Sequence, residues 1–202
     1  VGFGDTGSVG VAGLALGGGM GYLSRRDGLT IDNLVGAEVV TADGRVRLTD
    51  AEREPDLFWA LRGGGGNVGV VTRLRFRLTP TDTVHAGVIL LPTRPEVIAE
   101  LIGTLAVAGE ALTAIVDVMR APPLPGVPES VHGRLVTMVR LCHAGDPARA
   151  EQALAPLRRI APSPADLVRP MPYADLLAAE APSRGSRVAV RTQFVDHVDV
   201  GG

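Results

Sequence analysis

The chain contains no lysine, and all 20 of its basic residues are arginines. A Walker-type phosphate loop needs its lysine, so kinases and GTPases of that design are excluded. The arginine bias itself reads as the codon usage of a GC-rich, bacterial genome. Cysteine is nearly absent: Cys142 stands alone, which excludes a disulfide framework and a cysteine-built zinc site. Aromatic residues make up 3% of the chain, and 20 basic residues face 22 acidic ones at a pI near 6.1. Nucleic acid is therefore not an expected partner, since neither a basic surface nor a row of stacking rings is available. No apolar run reaches the roughly 18 residues of a membrane-spanning helix without a glycine in it. No targeting segment is visible either, so the expected location is the cytoplasm.

What the chain does have is apolar residues and glycine. Hydrophobic residues form 46% of the sequence and the mean hydropathy is +0.22, which suits a packed core and excludes disorder. Glycine supplies 26 of 202 residues, nearly twice the usual ~7%. Nine glycines fall within residues 1–21 and five within residues 63–69, so over half of them sit in about thirty positions. The sequence starts at Val1 without an initiator methionine and ends at Gly202 just after a strand-like segment. The expectation is a piece of a longer polypeptide.

Local patterns divide the chain near residues 80–83. Residues 1–18 are too glycine-rich for a stable helix and are expected to form loop and short strand, followed by a short helix within 19–27. Two alternating strands, 37–41 and 45–48, flank an Asp43-Gly44 turn and predict a hairpin. Pro55 and Asp56 open a helix that runs through Leu61 and stops at Gly63, and residues 70–78 alternate apolar residues with Arg73, Arg75 and Arg77 as a strand with one wet face. Beyond residue 83 the order is strand 85–91, helix 95–109, strands 112–119 and 135–142, then helix 147–160. That order predicts a split βαβ, ferredoxin-like unit. A helix at 173–179 and a strand at 187–194 complete the expectation.

Several candidate sites carry little. Gly2-Phe3-Gly4-Asp5-Thr6-Gly7 matches GxGxxG, but a nicotinamide-binding Rossmann unit needs a strand before it and a real helix after it. Cys142 and His143 read as a core cysteine beside a surface histidine, and His85, His132 and His197 are too scattered for a metal site. Glu52, Glu54 and Asp56 suit a helix start better than a catalytic pair. Trp59 reads as core packing, and Tyr22 and Tyr173 as packed tyrosines. The two glycine clusters are different, because each lies at the boundary of ordered elements. Glycine lets backbone approach an anionic or flat ligand within hydrogen-bonding reach. The N–H groups of Gly10, Gly17, Gly18 and Gly19 are the expected buried donors, and Asn67 adds an amide that donates and accepts.

Three blocks carry a resemblance: GVAGLALGGGMGYLSRRDGLTIDNL, AEVVTADG and EPDLFWALRGGGGNVGVVT. They resemble, in family order and over residues 4–80, the FAD-linked oxidases with a PCMH-type FAD-binding domain. These are the berberine-bridge-enzyme-like branch of the vanillyl-alcohol-oxidase superfamily. PLRRIAPSPADLVRPMPYADLL is more weakly similar to the start of that family's substrate domain. The resemblance implies an α+β fold: the second half of the FAD-binding domain in residues 1–80, then part of a substrate-binding domain in 81–202. It implies FAD held along Thr6, Gly7, Ser8, Val9, Gly10, Gly13, Gly17, Gly18, Gly19 and Gly21. A second stretch at Gly65, Gly66, Asn67, Gly69 and Val70 would lie toward the ribose and adenine, and Asp32 and Asn33 link the two. No metal site is implied.

The implied reaction is hydride transfer from an alcohol, sugar or amine C–H to flavin N5, with O2 as acceptor. Val9 is small enough to leave O2 room beside the ring. Thr6 stands where some members carry a cysteine joined to the flavin, so a cysteinyl link is excluded. The histidine of the other covalent link would precede Val1, and the catalytic base would follow Gly202. Two further readings stand beside this one: an inactive remnant, in which this piece alone binds FAD weakly, and a nicotinamide-dependent reductase resting on residues 2–7.

Overall fold

A computed structural model describes residues 2–123 and 125–179, and the strand expected at 187–194 lies outside them. The described residues form two compact units, residues 2–82 joined by 177–179, and residues 83–176. The class is α+β, as expected.

The first unit is built on a three-stranded antiparallel sheet of β1 (Leu34–Val40), β2 (Val46–Thr49) and β3 (Val70–Phe76), in the order β2-β1-β3. The Asp43-Gly44 turn closes β1 onto β2, with Gly44 at φ 74 and its N–H on the Thr41 carbonyl at 2.9 Å. One sheet face supplies Ala37, Val39, Val71 and Leu74 to a core that also takes Leu16, Leu61 and Val68. The other face carries Arg73 and Arg75 in the open, as the alternation predicted. Three helices accompany the sheet: α1 (Val11–Leu16), α2 (Ser24–Asp27) and α3 (Pro55–Gly64).

Three expectations need correction here. Residues 11–16 form a helix, not loop or strand, because tertiary packing buries Ala15 completely and sets Leu16 in the core, outweighing the glycine cost. Trp59 is 77% exposed rather than packed. Phe58 and Leu61 define the buried stripe of α3, and Trp59 lies about 100° around the helix from Phe58. Residues 2–10 contain no strand and the sheet is antiparallel, so the GxGxxG segment lacks the strand-turn-helix of a Rossmann unit. Tyr22 is buried at 1% exposure, in keeping with a packed tyrosine.

The second unit has a sheet in the order β5-β6-β4-β7, from β4 (Thr83–Pro92), β5 (Leu112–Arg120), β6 (Leu135–His143) and β7 (Ala165–Asp166). β4 pairs antiparallel with β6 and β7, and β5 with β6. With α4 (Pro95–Ala106) after β4 and α5 (Pro147–Arg159) after β6, this is the ferredoxin-like order expected. The helices cover one face, where Val97 and Leu101 of α4 and Leu154 and Leu157 of α5 meet Ile89, Leu91, Val139 and Leu141. β8 (Arg169–Pro172) continues along β4 after a break at Leu167, and α6 (Tyr173–Ala179) follows. Gly87, at φ 150, makes that break possible: a Cβ there would stand 2.3 Å from the Leu167 carbonyl oxygen.

Cys142 is buried, but so is His143, at 4% exposure, which corrects its reading as a surface residue. Its Nδ1 has no hydrogen-bond partner among the described residues. Burial, with some help from His85 across the strand pair, holds the imidazole below its ordinary value, and Asp146 opposes this. The unfolded chain titrates this group near pH 6.5. Below that pH the unfolded state binds the proton more readily, so stability is full above pH 6.5 and declines as pH falls toward the lowered folded value. The denaturation midpoint is expected to drop between pH 7.5 and 5.5, and His143→Gln is expected to reduce that drop.

Candidate functional site

The two glycine clusters, far apart in sequence, meet in the first unit. Helix α1 packs against α3 and against the 3-10 turn Gly65–Val68. Leu16, Leu61 and Val68 lie in one core cluster beneath them. A second link runs through the 3-10 turn Thr30–Asn33. Thr30 donates its N–H to the Gly19 carbonyl at 2.8 Å, and Ile31 donates to Gly18 at 2.9 Å.

The glycines divide into two groups by what a side chain would meet. At Gly19, with φ 82, a Cβ would lie 2.6 Å from Thr30; at Gly21 it would lie 2.2 Å from the Gly4 carbonyl oxygen; at Gly69, with φ 149, 2.5 Å from that of Val40. These glycines let backbone segments touch. At Gly10, Gly13, Gly63, Gly64, Gly65 and Gly66 nothing lies within 4 Å of such a Cβ. Packing gives no reason for those six, although positive φ at Gly63 (113) and Gly65 (58) already favours glycine at two of them. Helix interiors lose roughly 0.5–1 kcal/mol for glycine in place of alanine, so Gly13 costs stability with no contact to show for it.

The donors are also distributed differently from expectation. Gly17 and Gly18 spend their N–H groups on the Leu14 and Ala15 carbonyls, closing α1. Gly7 donates to the Leu177 carbonyl at 3.2 Å. Gly10 is exposed rather than buried. Of the expected donors Gly10 and Gly19 keep their N–H groups open, and Val11, Ala12 and Gly13 extend Gly10 to four consecutive N–H groups with no backbone acceptor among the described residues. A helix start leaves such groups unpaired by construction. Val9, Val11, Met20 and Val70 stand exposed in the same unit and offer apolar surface.

The polar members of the expected site do different work. Asn33 is 2% exposed, and its amide donates to the Asp27 and Leu29 carbonyls at 2.9 and 3.1 Å, so its N–H groups hold the fold. Asn67 donates to the Gly64 carbonyl and shapes the second glycine loop. Thr6 and Ser8 form an exposed hydroxyl pair 3.1 Å apart. Asp32 accepts the Leu29 N–H through Oδ2 at 2.9 Å, while its Oδ1 faces Arg62 at 3.4 Å. Arg62, which opens the second glycine stretch, stands directly before Gly63 and was not among the expected ligand residues.

Residues 1–50 match the family model described as an FAD binding domain. The (R)-6-hydroxynicotine oxidase of Paenarthrobacter nicotinovorans is 34% identical over 175 residues, which cover 86% of this chain and 37% of that protein. The crystal structure of 6-hydroxy-D-nicotine oxidase from Arthrobacter nicotinovorans superposes with a TM-score of 0.77 at 33% identity, covering 90% of this chain and 40% of that one. The chain is similar to the FAD-linked oxidases with a PCMH-type FAD-binding domain, and its first 50 residues carry part of an FAD binding domain. The xylooligosaccharide oxidase from Myceliophthora thermophila C1 superposes at 27% identity and a TM-score of 0.70, over 90% of this chain and 37% of its own. The chain thus spans about two fifths of the length of these relatives.

FAD is the cofactor of this family, and the residues present fit it. Six glycines leave open space, four adjacent N–H groups await acceptors, and exposed aliphatic side chains stand ready to meet a flat ring. Among the described residues no cluster of three or more His, Cys, Asp or Glu side chains could hold a metal. No described helix is long and apolar enough to cross a membrane.

Proposed function

We propose that the protein is an FAD-dependent oxidase in which residues 1–80 form part of the flavin-binding domain and residues 81–202 part of the substrate-binding domain. The observation that carries this reading is the meeting of the two glycine clusters with their unfilled space outward. Bound FAD would supply the redox chemistry, taking hydride from a C–H bond of a small alcohol, sugar or amine with O2 as the final acceptor. This chain's own residues would bind and orient it. The N–H groups of Gly10, Val11, Ala12 and Gly13 would donate to flavin or phosphate oxygens. Gly63, Gly64, Gly65 and Gly66 would allow backbone to approach the ligand without a Cβ between them. Val9 and Val70 would pack against its apolar parts. Gly19, Gly21, Asn33 and Gly69 would support these loops without touching the ligand.

The names of the relatives support the substrate class, one being an oxidase of 6-hydroxynicotine and another of xylooligosaccharide. Purified protein supplied with FAD is expected to carry the flavin band near ~450 nm through gel filtration. Bleaching of that band under nitrogen by one member of a panel of amines, alcohols and oligosaccharides, with recovery in air, would identify the substrate and O2 together. Folded protein that elutes colourless would end this reading.

A further inference from the structure

We propose that Arg62 is the cation that receives the diphosphate of the flavin nucleotide, with Asp32 as its resting partner. The inference rests on the reading that FAD occupies the glycine cradle. The open donors there are backbone N–H groups, which offer hydrogen bonds but no net positive charge, and the chain has no lysine to supply one. A diphosphate diester brings two negative charges, which a nearby cation would balance.

Arg62 is placed for that task by its backbone. At φ −80 and ψ 73 it leaves helical geometry, so α3 breaks there and its side chain departs where Gly63 to Gly66 begin. The guanidinium reaches the Thr30–Asn33 turn, which is itself bonded to Gly18 and Gly19. Arg62 therefore links the start of the second glycine cluster to the turn that holds Gly18 and Gly19. Its guanidinium lies 5.9 Å from the centre of the Phe58 ring, which limits its wandering.

The hold on it is light. The Asp32 contact is 3.4 Å long, with the two side chains 38% and 47% exposed. Such exposed pairs contribute little. Asp32 is the fixed half, because its second oxygen accepts the Leu29 N–H. Only one of the five guanidinium donors is engaged there, and the planar fork matches phosphate oxygens. Three other arginines of the unit are committed elsewhere, Arg26 to Asp27 and Thr81, Arg47 to Glu54, and Arg75 to Asp50 and the Val35 carbonyl, while Arg73 stands on the open sheet face.

The test is a set of FAD and riboflavin titrations on the purified protein, followed by flavin fluorescence. Arg62→Gln is expected to weaken FAD binding by about 10- to 100-fold, the size of a lost charge-assisted contact, and to leave riboflavin, which lacks the diphosphate, unchanged. Arg62→Lys is expected to recover part of the loss. Asp32→Asn is expected to tighten FAD severalfold by releasing the guanidinium and removing a like charge. Wild-type affinity is expected to fall with added salt more steeply than that of Arg62→Gln. Equal FAD affinity and equal salt dependence in wild type and Arg62→Gln overturn the inference alone. Parallel loss of FAD and riboflavin assigns Arg62 a structural role and also overturns it. Wild-type protein that takes up no FAD overturns both this and the function it rests on.

Discussion

Gly13→Ala is expected to stabilise the fold while weakening FAD binding, whereas Gly21→Ala is expected to destabilise the fold. Gly13 sits inside α1 with nothing within 4 Å of a new methyl group, so alanine gains roughly 0.5–1 kcal/mol of helix propensity. The same methyl group enters the space assigned to the cofactor. A residue whose glycine costs stability without a packing reason signals a function pressing on it. At Gly21, by contrast, the added carbon would stand 2.2 Å from the Gly4 carbonyl oxygen and 2.6 Å from its carbon, both backbone atoms. Relief requires moving the N-terminal segment, whose Gly2 carbonyl accepts the buried Thr30 hydroxyl at 2.6 Å. A loss of about 3 kcal/mol or more is expected. Urea midpoints for the two variants, measured beside FAD titrations, check both halves. A destabilised Gly13→Ala with unchanged affinity would mean that the space over α1 has no ligand.

Leu61→Ala carries the second large effect. Leu61 is fully buried in the cluster that Leu16 and Val68 also enter, and so holds the α1 and Gly65–Val68 segments on a common base. Truncation is expected to cost about 2–5 kcal/mol through lost burial and the cavity left behind. Because the cavity opens under both loops, FAD affinity should fall with stability, whereas Leu61→Met, which conserves volume, should cost less than about 1.5 kcal/mol. Denaturant midpoints with and without saturating FAD separate the two contributions, since ligand bound only by the folded state raises the midpoint. An equal midpoint shift from FAD in wild type and Leu61→Ala would show that the core does not position the loops.

Much of this architecture is legible in the residues themselves. The Asp43-Gly44 turn with alternating flanks gives the β1–β2 hairpin, and the order of elements between 83 and 160 gives the ferredoxin-like sheet. Those signals are local or depend only on sequence order. What escaped depends on packing between distant segments. Helix α1 exists because Ala15 is buried and Leu16 half-buried by elements that lie elsewhere in sequence, and propensity alone argues against it. Trp59 looks like core by its chemistry but faces outward by its angle on α3. His143 is covered although its type suggests surface.

The candidate site was legible as two glycine clusters, but the division of labour among its members was not. Nothing in the string GVAGLALGGGMG separates the open Gly10 and Gly13 from Gly19 and Gly21, which are pressed against Thr30 and Gly4. Asn33 reads as a ligand residue in its motif, yet its amide is occupied by two carbonyls. Arg62 was hidden for the opposite reason: its role comes from a helix break and a partner thirty residues away.

The central claim is that the two glycine clusters form one flavin-binding surface. Titration of the isotopically labelled protein with FAD, followed through its backbone amide resonances, tests it most directly. The account predicts saturable perturbation of Gly10, Val11, Ala12 and Gly13 together with Gly63, Gly64, Gly65 and Gly66, with the Arg62 side-chain Nε resonance moving alongside them. Perturbation of one cluster without the other, or saturation that leaves both unmoved, would contradict it.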